Sequence, residues 1–329
     1  MVIDPWRHWS RWTWASRLLW PLSPVYCALI SVRRLAYRYG LRPRVRLPVP
    51  VVIVGNLTVG GTGKTPLVLW LVAALEKAGL RPGIVSRGYA GASHETHVVT
   101  PASDPRAVGD EPVLLARRLR APVVVDRRRT RGARRLVELG CDVIVADDGL
   151  QHYALERDIE IGVLDGERRF GNGACLPAGP LRESAARWLR LDFRVTQGRA
   201  AQGEWPMRLM GGEARNLVSG AMQPLASLGR VHGVAGIGNP GRFFGSLRAQ
   251  GLEVVAHPFA DHHNYSQKDL DFGGKEPVVM TEKDAVKCTR FARAHWWYVP
   301  VDATLDPALA ERILARIRQI KEEHGQAAT

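Results

Sequence analysis

Between residues 50 and 165 the chain alternates short apolar runs with longer segments of helical periodicity. The runs PVVIVGN (50–56), RPGIVSRGY (81–89), APVVVD (121–126), CDVIVADDGLQH (141–152) and DIEIGVLDG (158–166) predict β-strands. They are short, rich in Val and Ile, and bounded by glycine or acidic residues. Between them the pattern predicts helices over 64–78, closed by Gly79, over EPVLLARRL (111–119), and over RTRGARRLVELG (129–140). Strands alternating with helices of this length predict a parallel sheet covered on both faces, with ligands taken at the carboxyl ends of the strands.

Residues 192–225 are less regular, with short β-like runs and polar turns. Alternation resumes at Arg230 with VHGVAGIG, a helix over about 240–250, then EVVAHPF, PVVMTEKD and WWYVPV, and a last amphipathic helix over about 307–323. The expected fold class is therefore α/β: a parallel-sheet core over 41–200 and a smaller α/β domain over 201–329, the boundary falling somewhere in 195–225.

The first 40 residues stand apart from this pattern. They hold Trp6, Trp9, Trp12, Trp14 and Trp20, five of the ten tryptophans, interleaved with Arg7, Arg11, Arg17, Arg33, Arg34 and Arg38. The early region is too polar for a signal peptide. Arg17, Pro21 and Pro24 interrupt any span, and the uncharged stretch 18–32 is too short to cross a bilayer. Tryptophan favours the headgroup level and arginine meets lipid phosphates, so residues 1–40 are expected to form an amphipathic segment lying on a membrane surface.

Composition adds a direction. There are 46 Lys and Arg against 32 Asp and Glu, a net charge of +14, which favours anionic partners: nucleic acid, anionic lipid or a phosphorylated substrate. The arginine run RRRTRGARR (127–135) lacks interleaved aromatics and sits at a helix start, so it reads as a solvated helix face and nucleic acid is not expected. The four cysteines are scattered without a C-x-x-C pair. They predict neither a disulfide framework nor a zinc cluster, and fit a reducing compartment. H-E-T-H (94–97) lacks the spacing of a zinc helix.

The chemistry centres on GNLTVGGTGKT (55–65). It follows a strong strand and opens a helix, as a phosphate loop must, but Thr58 stands where the strict G-x-x-x-x-G-K-[ST] pattern has glycine. Thr58, Val59, Gly60, Gly61, Thr62, Gly63, Lys64 and Thr65 are the expected ATP-binding residues. Backbone N–H groups and the helix end would cradle phosphate, Lys64 would reach the β- and γ-phosphates, and Thr65 would bind Mg2+. Thr58 is tolerable if that position needs no positive φ. Asp147 and Asp148 end a hydrophobic strand, as metal-organising acids should. Either could be the one that touches Mg2+. No guanine-reading N-K-x-D is present, because TEKD (281–284) has lysine before its aspartate.

The ordered set GNLTVGGTGKTP, SRGY (86–89), VGDEP (108–112), DDGLQH (147–152), LPAGPLRE (176–183), FADHHNY (259–265) and TEKDAVK (281–287) resembles the tetraacyldisaccharide 4'-kinase family over nearly the whole chain. The Thr58 variant is typical of that family. The resemblance implies transfer of the γ-phosphate of ATP to the 4'-hydroxyl of a lipid A disaccharide 1-phosphate. It also implies a peripheral enzyme on the cytoplasmic face of the inner membrane, and an active site between two α/β domains. No obligate protein partner is evident.

On that reading Asp110 matches the family's catalytic acid and is expected to be the general base. His262 is expected to orient it, with His263 the competitor for that role. The alternative for VGDEP is a helix cap, since Asp110 and Glu111 precede a helix. Glu111 and Glu183 are expected to assist at the metal or substrate. Arg87, Tyr89, His152 and Arg182 are expected to meet sugar or lipid phosphate. The competing function is a different membrane-associated phosphate-loop NTPase acting on a protein partner.

Overall fold

The computed structural model describes residues 6–88, 91 and 95–326. Three helices open it: α1 (Trp6–Trp9), α2 (Trp14–Leu19) and α3 (Leu22–Arg38). The first sheet then builds through β1 (Val51–Gly55), α4 (Lys64–Lys77), β2 (Pro82–Ser86), β3 (His97–Val99), α5 (Pro105–Val108), α6 (Asp110–Arg118), β4 (Val123–Val125), α7 (Arg129–Glu138), β5 (Val143–Asp147), β6 (Ile159–Asp165), β7 (Phe193–Gln197) and β8 (Trp205–Met210). The second sheet follows with β9 (Glu213–Asn216), β10 (Met222–Pro224), β11 (Arg230–Ala235), α8 (Pro240–Ala249), β12 (Glu253–Pro258), β13 (Val278–Thr281), α9 (Glu282–Cys288) and β14 (Trp296–Val299). The chain ends with β15 (Asp302–Thr304) and α10 (Pro307–Gln326).

The first sheet has nine strands in the order β15-β8-β7-β6-β1-β5-β2-β4-β3. All its pairings are parallel except β3 on β4 and β15 on β8. Every residue of β1 is buried, as a central strand covered on both faces requires. Its side chains divide with period two. Val52 and Val54 pack into a core with Leu67, Leu71 and Leu75 of α4. Val51 and Ile53 pack into the opposite core with Ala133 and Leu136 of α7.

The second sheet has six strands in the order β10-β9-β14-β13-β11-β12. Strands β12, β11, β13 and β14 run parallel, and β9 and β10 add antiparallel. One face is covered by Phe243, Phe244 and Leu247 of α8, the other by Ala285 and Cys288 of α9 with the buried Trp296.

The expected boundary at 200/201 does not describe this arrangement. Strand β8 lies beyond it yet pairs parallel with β7, and β15 returns from the C-terminal part to pair with β8. Helix α10 lays Leu309, Ile313, Ile317 and Ile320 into the same core as α4. That stripe is apolar at helical spacing, and the uncovered face of the first sheet buries it. The smaller unit is therefore an insertion over about 213–299, and the chain returns from it to the larger one.

The N-terminal segment is helical, and only part of it faces outward. Leu18, Leu22, Val25, Leu29 and Val32 are exposed along one side of α2 and α3, with Trp14 and Trp20 beside them. The other side packs: Ser23 is buried, and Tyr26 and Cys27 lie on the α7-side core. Trp6 is buried too, which the expectation of a wholly interfacial segment did not include. No helix among the described residues is long and apolar enough to cross a membrane. The scattered cysteines form no framework, but one pair is joined. Cys27 of α3 and Cys175 form a disulfide across 148 positions, and Ser23 Oγ donates to the Cys175 carbonyl at 2.6 Å beside it.

Candidate active site

The loop after β1 and the end of β5 are neighbours by register: Val54 pairs with Asp147. This places residues 55–65 beside the two aspartates at the carboxyl edge of the first sheet, between β6 and β5. Gly60 and Gly63 have φ of 108° and 86°. Thr58 has no positive φ; it is buried and forms an isolated bridge with Leu181. Val59 N donates to the Pro180 carbonyl at 2.9 Å and Arg182 N to the Leu57 carbonyl at 2.7 Å. The P-x-G-P-L-R segment thus braces the loop entry, where strict phosphate loops use a glycine turn. Asn56 organises the interior: its Nδ2 donates to Thr62 Oγ1 at 3.3 Å and its Oδ1 accepts from Lys64 Nζ at 3.2 Å.

The two aspartates are not equivalent. Asp148, with φ 51°, is held between Lys64 Nζ at 3.0 Å and Arg182 Nη1, which donates to both its oxygens at 3.0 Å. Burial would raise its pKa, but Lys64 and Arg182 more than offset that and hold it well below the usual carboxylate range. Asp147 is fully buried, and burial, then the nearby Glu111, push it up to about 7. Ser86 Oγ approaches Asp147 Oδ2 at 3.4 Å, while Oδ1 is buried without a hydrogen-bond partner. An orphaned carboxylate oxygen near the Lys64 ammonium fits a divalent cation. No group of three or more His, Cys, Asp or Glu among the described residues could hold a metal alone. Mg2+ needs few protein ligands, since phosphates and water complete its shell.

Asp110 and Glu111 begin α6 after Gly109, whose φ of 95° makes the turn. The helix-cap alternative holds in part, since Asp110 and Glu111 lie in the first turn of α6 and Asp110 Oδ1 accepts from Glu111 N at 2.9 Å, but Asp110 is also buried and meets groups of the second unit. His262 Nδ1 lies 3.2 and 3.1 Å from its two oxygens, and Lys287 Nζ lies 3.6 Å away. Burial raises the Asp110 pKa, but His262, Lys283 and Lys287 outweigh it and keep the group strongly ionised. His262 has φ 59° and its N–H donates to the Gly236 carbonyl, so the loop after β12 is held against the loop after β11. His263 points elsewhere: it packs on Phe259 and Tyr265, with Nε2 3.6 Å from Asp269. Of the two, His262 is the one within hydrogen-bond distance of Asp110.

The remaining candidates gather on the other flank. His152 is largely buried; burial, then Arg129 and Arg157, lower its pKa to about 4, and its Nε2 has no partner. Glu183 Oε1 accepts from Gln151 at 2.8 Å, and its Oε2 faces Arg34 and Arg187 at 3.9 and 4.0 Å. Arg87 is exposed at the end of β2, and Arg182 is committed to Asp148. Tyr89 lies outside the described residues.

The family model for tetraacyldisaccharide-1-phosphate 4'-kinase matches residues 15–318. The tetraacyldisaccharide 4'-kinase of Methylobacillus flagellatus is 52% identical over 324 residues, covering 96% of both chains. That of Nitrosococcus oceani is 50% identical over 314 residues, covering 94% of this chain and 91% of its own. The crystal structure of LpxK from Aquifex aeolicus in complex with ATP superposes with a TM-score of 0.77 at 30% identity, covering 92% of this chain and 99% of that one. The chain belongs to the tetraacyldisaccharide 4'-kinase family. It is a phosphotransferase with the α/β fold of that family.

Three residues that this family member brings to the site were not legible as such. Arg129 was read with its neighbours as a solvated face. Arg127, Arg128, Arg131, Arg134 and Arg135 are indeed exposed, but Arg129 is buried and its Nη2 donates to the Asp148 carbonyl at 2.8 Å. Its spacing to Gly132, Ala133 and Leu136 is the inward stripe of α7, a signal that was available. Lys283 and Lys287 of the T-E-K-D-A-V-K stretch reach Glu111 and Asp110 from the second sheet. No periodicity could have shown that, because the contact spans two units.

Proposed function

We propose that the chain transfers the γ-phosphate of ATP to the 4'-hydroxyl of tetraacyldisaccharide 1-phosphate at an anionic membrane surface, the cytoplasmic face of the inner membrane. The phosphate loop 58–65 with Lys64 holds the triphosphate. Thr65 and Asp147 would hold Mg2+, for which the unpartnered Asp147 oxygen is suited. Bound there, Mg2+ neutralises phosphate charge. Asp148 instead fixes Lys64 and Arg182.

The base is assigned to His262, with Asp110 as its orienting partner. This reverses the roles expected from the motif. A carboxylate held as strongly ionised as Asp110 is a weak proton acceptor. It is well suited to receive the Nδ1–H of an imidazole and to stabilise the imidazolium formed when Nε2 takes the hydroxyl proton. The observation that carries the proposal is this pair, 3.1 Å apart, with Asp110 at the start of α6 and His262 in the loop after β12 of the second sheet.

The exposed apolar side of α2 and α3, flanked by Arg17 and Arg33, supports surface attachment without a span. The test is transfer of labelled γ-phosphate to the acceptor in detergent micelles. Wild type should transfer, and His262→Gln, Asp110→Asn and Lys64→Ala should each lose about 100-fold or more in kcat. A folded, ATP-binding wild type that transfers nothing would sink the assignment and favour an NTPase acting on a protein partner.

A further inference from the structure

We infer that Lys283 is a positioning residue that fixes His262 in the tautomer required for proton abstraction. The inference rests on the reading of His262 as the base. One edge of the ring faces Asp110, with Nδ1 3.1 Å from Oδ2. The other faces Lys283, with Nε2 3.4 Å from Nζ; Asp261 Oδ1 lies farther off at 3.8 Å and is itself paired with that ammonium. An ionised carboxylate only accepts hydrogen bonds and an ammonium only donates them. Between them a neutral imidazole has one tautomer that satisfies both: hydrogen on Nδ1, lone pair on Nε2. That is the form whose Nε2 can receive a proton from a sugar hydroxyl.

Lys283 is held as a cation in this place. Its Nζ lies 3.1 Å from Glu111 Oε1 and 3.4 Å from Asp261 Oδ1. Burial lowers its pKa, but Glu111, Asp110 and Asp261 outweigh that and raise it above the ordinary lysine value. The rest of the T-E-K-D stretch fixes its direction. Thr281 Oγ1 accepts from Asp284 N at 3.1 Å and caps α9. Asp284 is fully buried and accepts from Gly236 N at 2.9 Å, tying the start of α9 to the loop after β11. Glu282 accepts from Arg118 at 2.9 Å, tying α9 to α6. Lys283 therefore projects from a helix braced on three sides.

An arriving 4'-hydroxyl must take the place of Lys283 at Nε2. Glu111 and Asp261 keep the ammonium paired as it yields, so the exchange leaves no buried charge alone. Lys283 thus acts on the reaction through His262.

Two measurements test this. The first is the tautomer of His262, read from imidazole 15N shifts of 15N-histidine-labelled full-length protein in detergent micelles. The signal among the ten histidines is assigned by its loss in His262→Gln. Wild type should show hydrogen on Nδ1, and Lys283→Met should show a mixture; hydrogen on Nε2 in wild type, or an unchanged Nδ1–H tautomer in Lys283→Met, overturns the inference. The second is steady-state transfer. Lys283→Met should lose about 10- to 100-fold in kcat, as a misplaced catalytic group does, with KM for ATP and lipid within about twofold. Lys283→Arg, whose guanidinium also only donates, should recover most of that loss. Unchanged kcat in Lys283→Met overturns the inference. Should Lys283→Met fail to fold, Lys283→Ala is read by the same two measurements. Wild-type kcat in His262→Gln would remove the base reading itself, whereas the 15N shifts judge the Lys283 contact independently.

Discussion

Gly60 and Gly63 carry the left-handed backbone of the phosphate loop, and Thr58 does not. A Cβ on Gly63 would sit 2.9 Å from Met207 Cε and 3.2 Å from Gln197 Oε1, on a φ that L residues rarely adopt. Gly63→Ala should therefore raise KM for ATP by about tenfold or more, while Thr58→Gly should keep kcat and KM within a few-fold and cost about 1 kcal/mol at most in thermal unfolding. Equal damage from both changes would refute this account of the loop. Glu204 offers a test at the same scale, away from the chemistry. Its side chain is buried and bonded to Arg169, Thr196, Trp188 and Ala201 N. These bonds outweigh burial and lower its pKa from 4.5 to about 2. A carboxylate with a depressed folded pKa stabilises above its unfolded value and loses that contribution as pH falls through the folded one. Glu204→Gln should cost about 2 kcal/mol at pH 7 by denaturant unfolding, and the difference from wild type should shrink between pH 4.5 and pH 2. Residue types and spacing made Lys64, Asp147 and Asp110 legible in the sequence. They could not say that Asp148 is held by Arg182, or that His262 and Lys287 flank Asp110, because those contacts come from residues over 30 positions away.

Helices and strands were legible where their periodicity was strong. The runs at β1, β2, β4, β5 and β6 fall where apolar patterning puts them, because a parallel sheet buries both faces of each strand. Helix α10 was legible as a helix but not in its placement, since an amphipathic stripe does not name the surface it will cover. Ile317 is fully buried against the first sheet's core, so Ile317→Ala should cost roughly 2–5 kcal/mol and weaken the nucleotide-binding unit. An unchanged melting curve would contradict that placement. On α3, Leu29 and Val32 are 65% and 64% exposed, so charging them disturbs little packing. Leu29→Glu with Val32→Glu should leave the melting temperature near wild type and lower retention on anionic vesicles by about tenfold or more. Undiminished retention would remove α3 as the attachment face.

At the scale of the whole molecule, the site exists only where two sheets meet. Strand β1 supplies the phosphate loop and α6 supplies Asp110. Loops after β11 and β12 and the start of α9 bring Gly236, His262 and Lys283 to the same place. Gly238 lies so close to the phosphate loop that a Cβ there would meet Gly61 N at 2.6 Å. The sequence motifs named most of these parts in order along the chain, but their meeting is a property of how the inserted unit folds back. The central claim is that Asp110 and His262 work as one base across that junction. The direct measurement is a double-mutant cycle on single-turnover phosphate transfer with Asp110→Ala, His262→Ala and the pair. The account predicts that the double variant is no slower than His262→Ala alone, because neither group serves without the other. Losses that multiply in the double variant would show two independent contributions and contradict it.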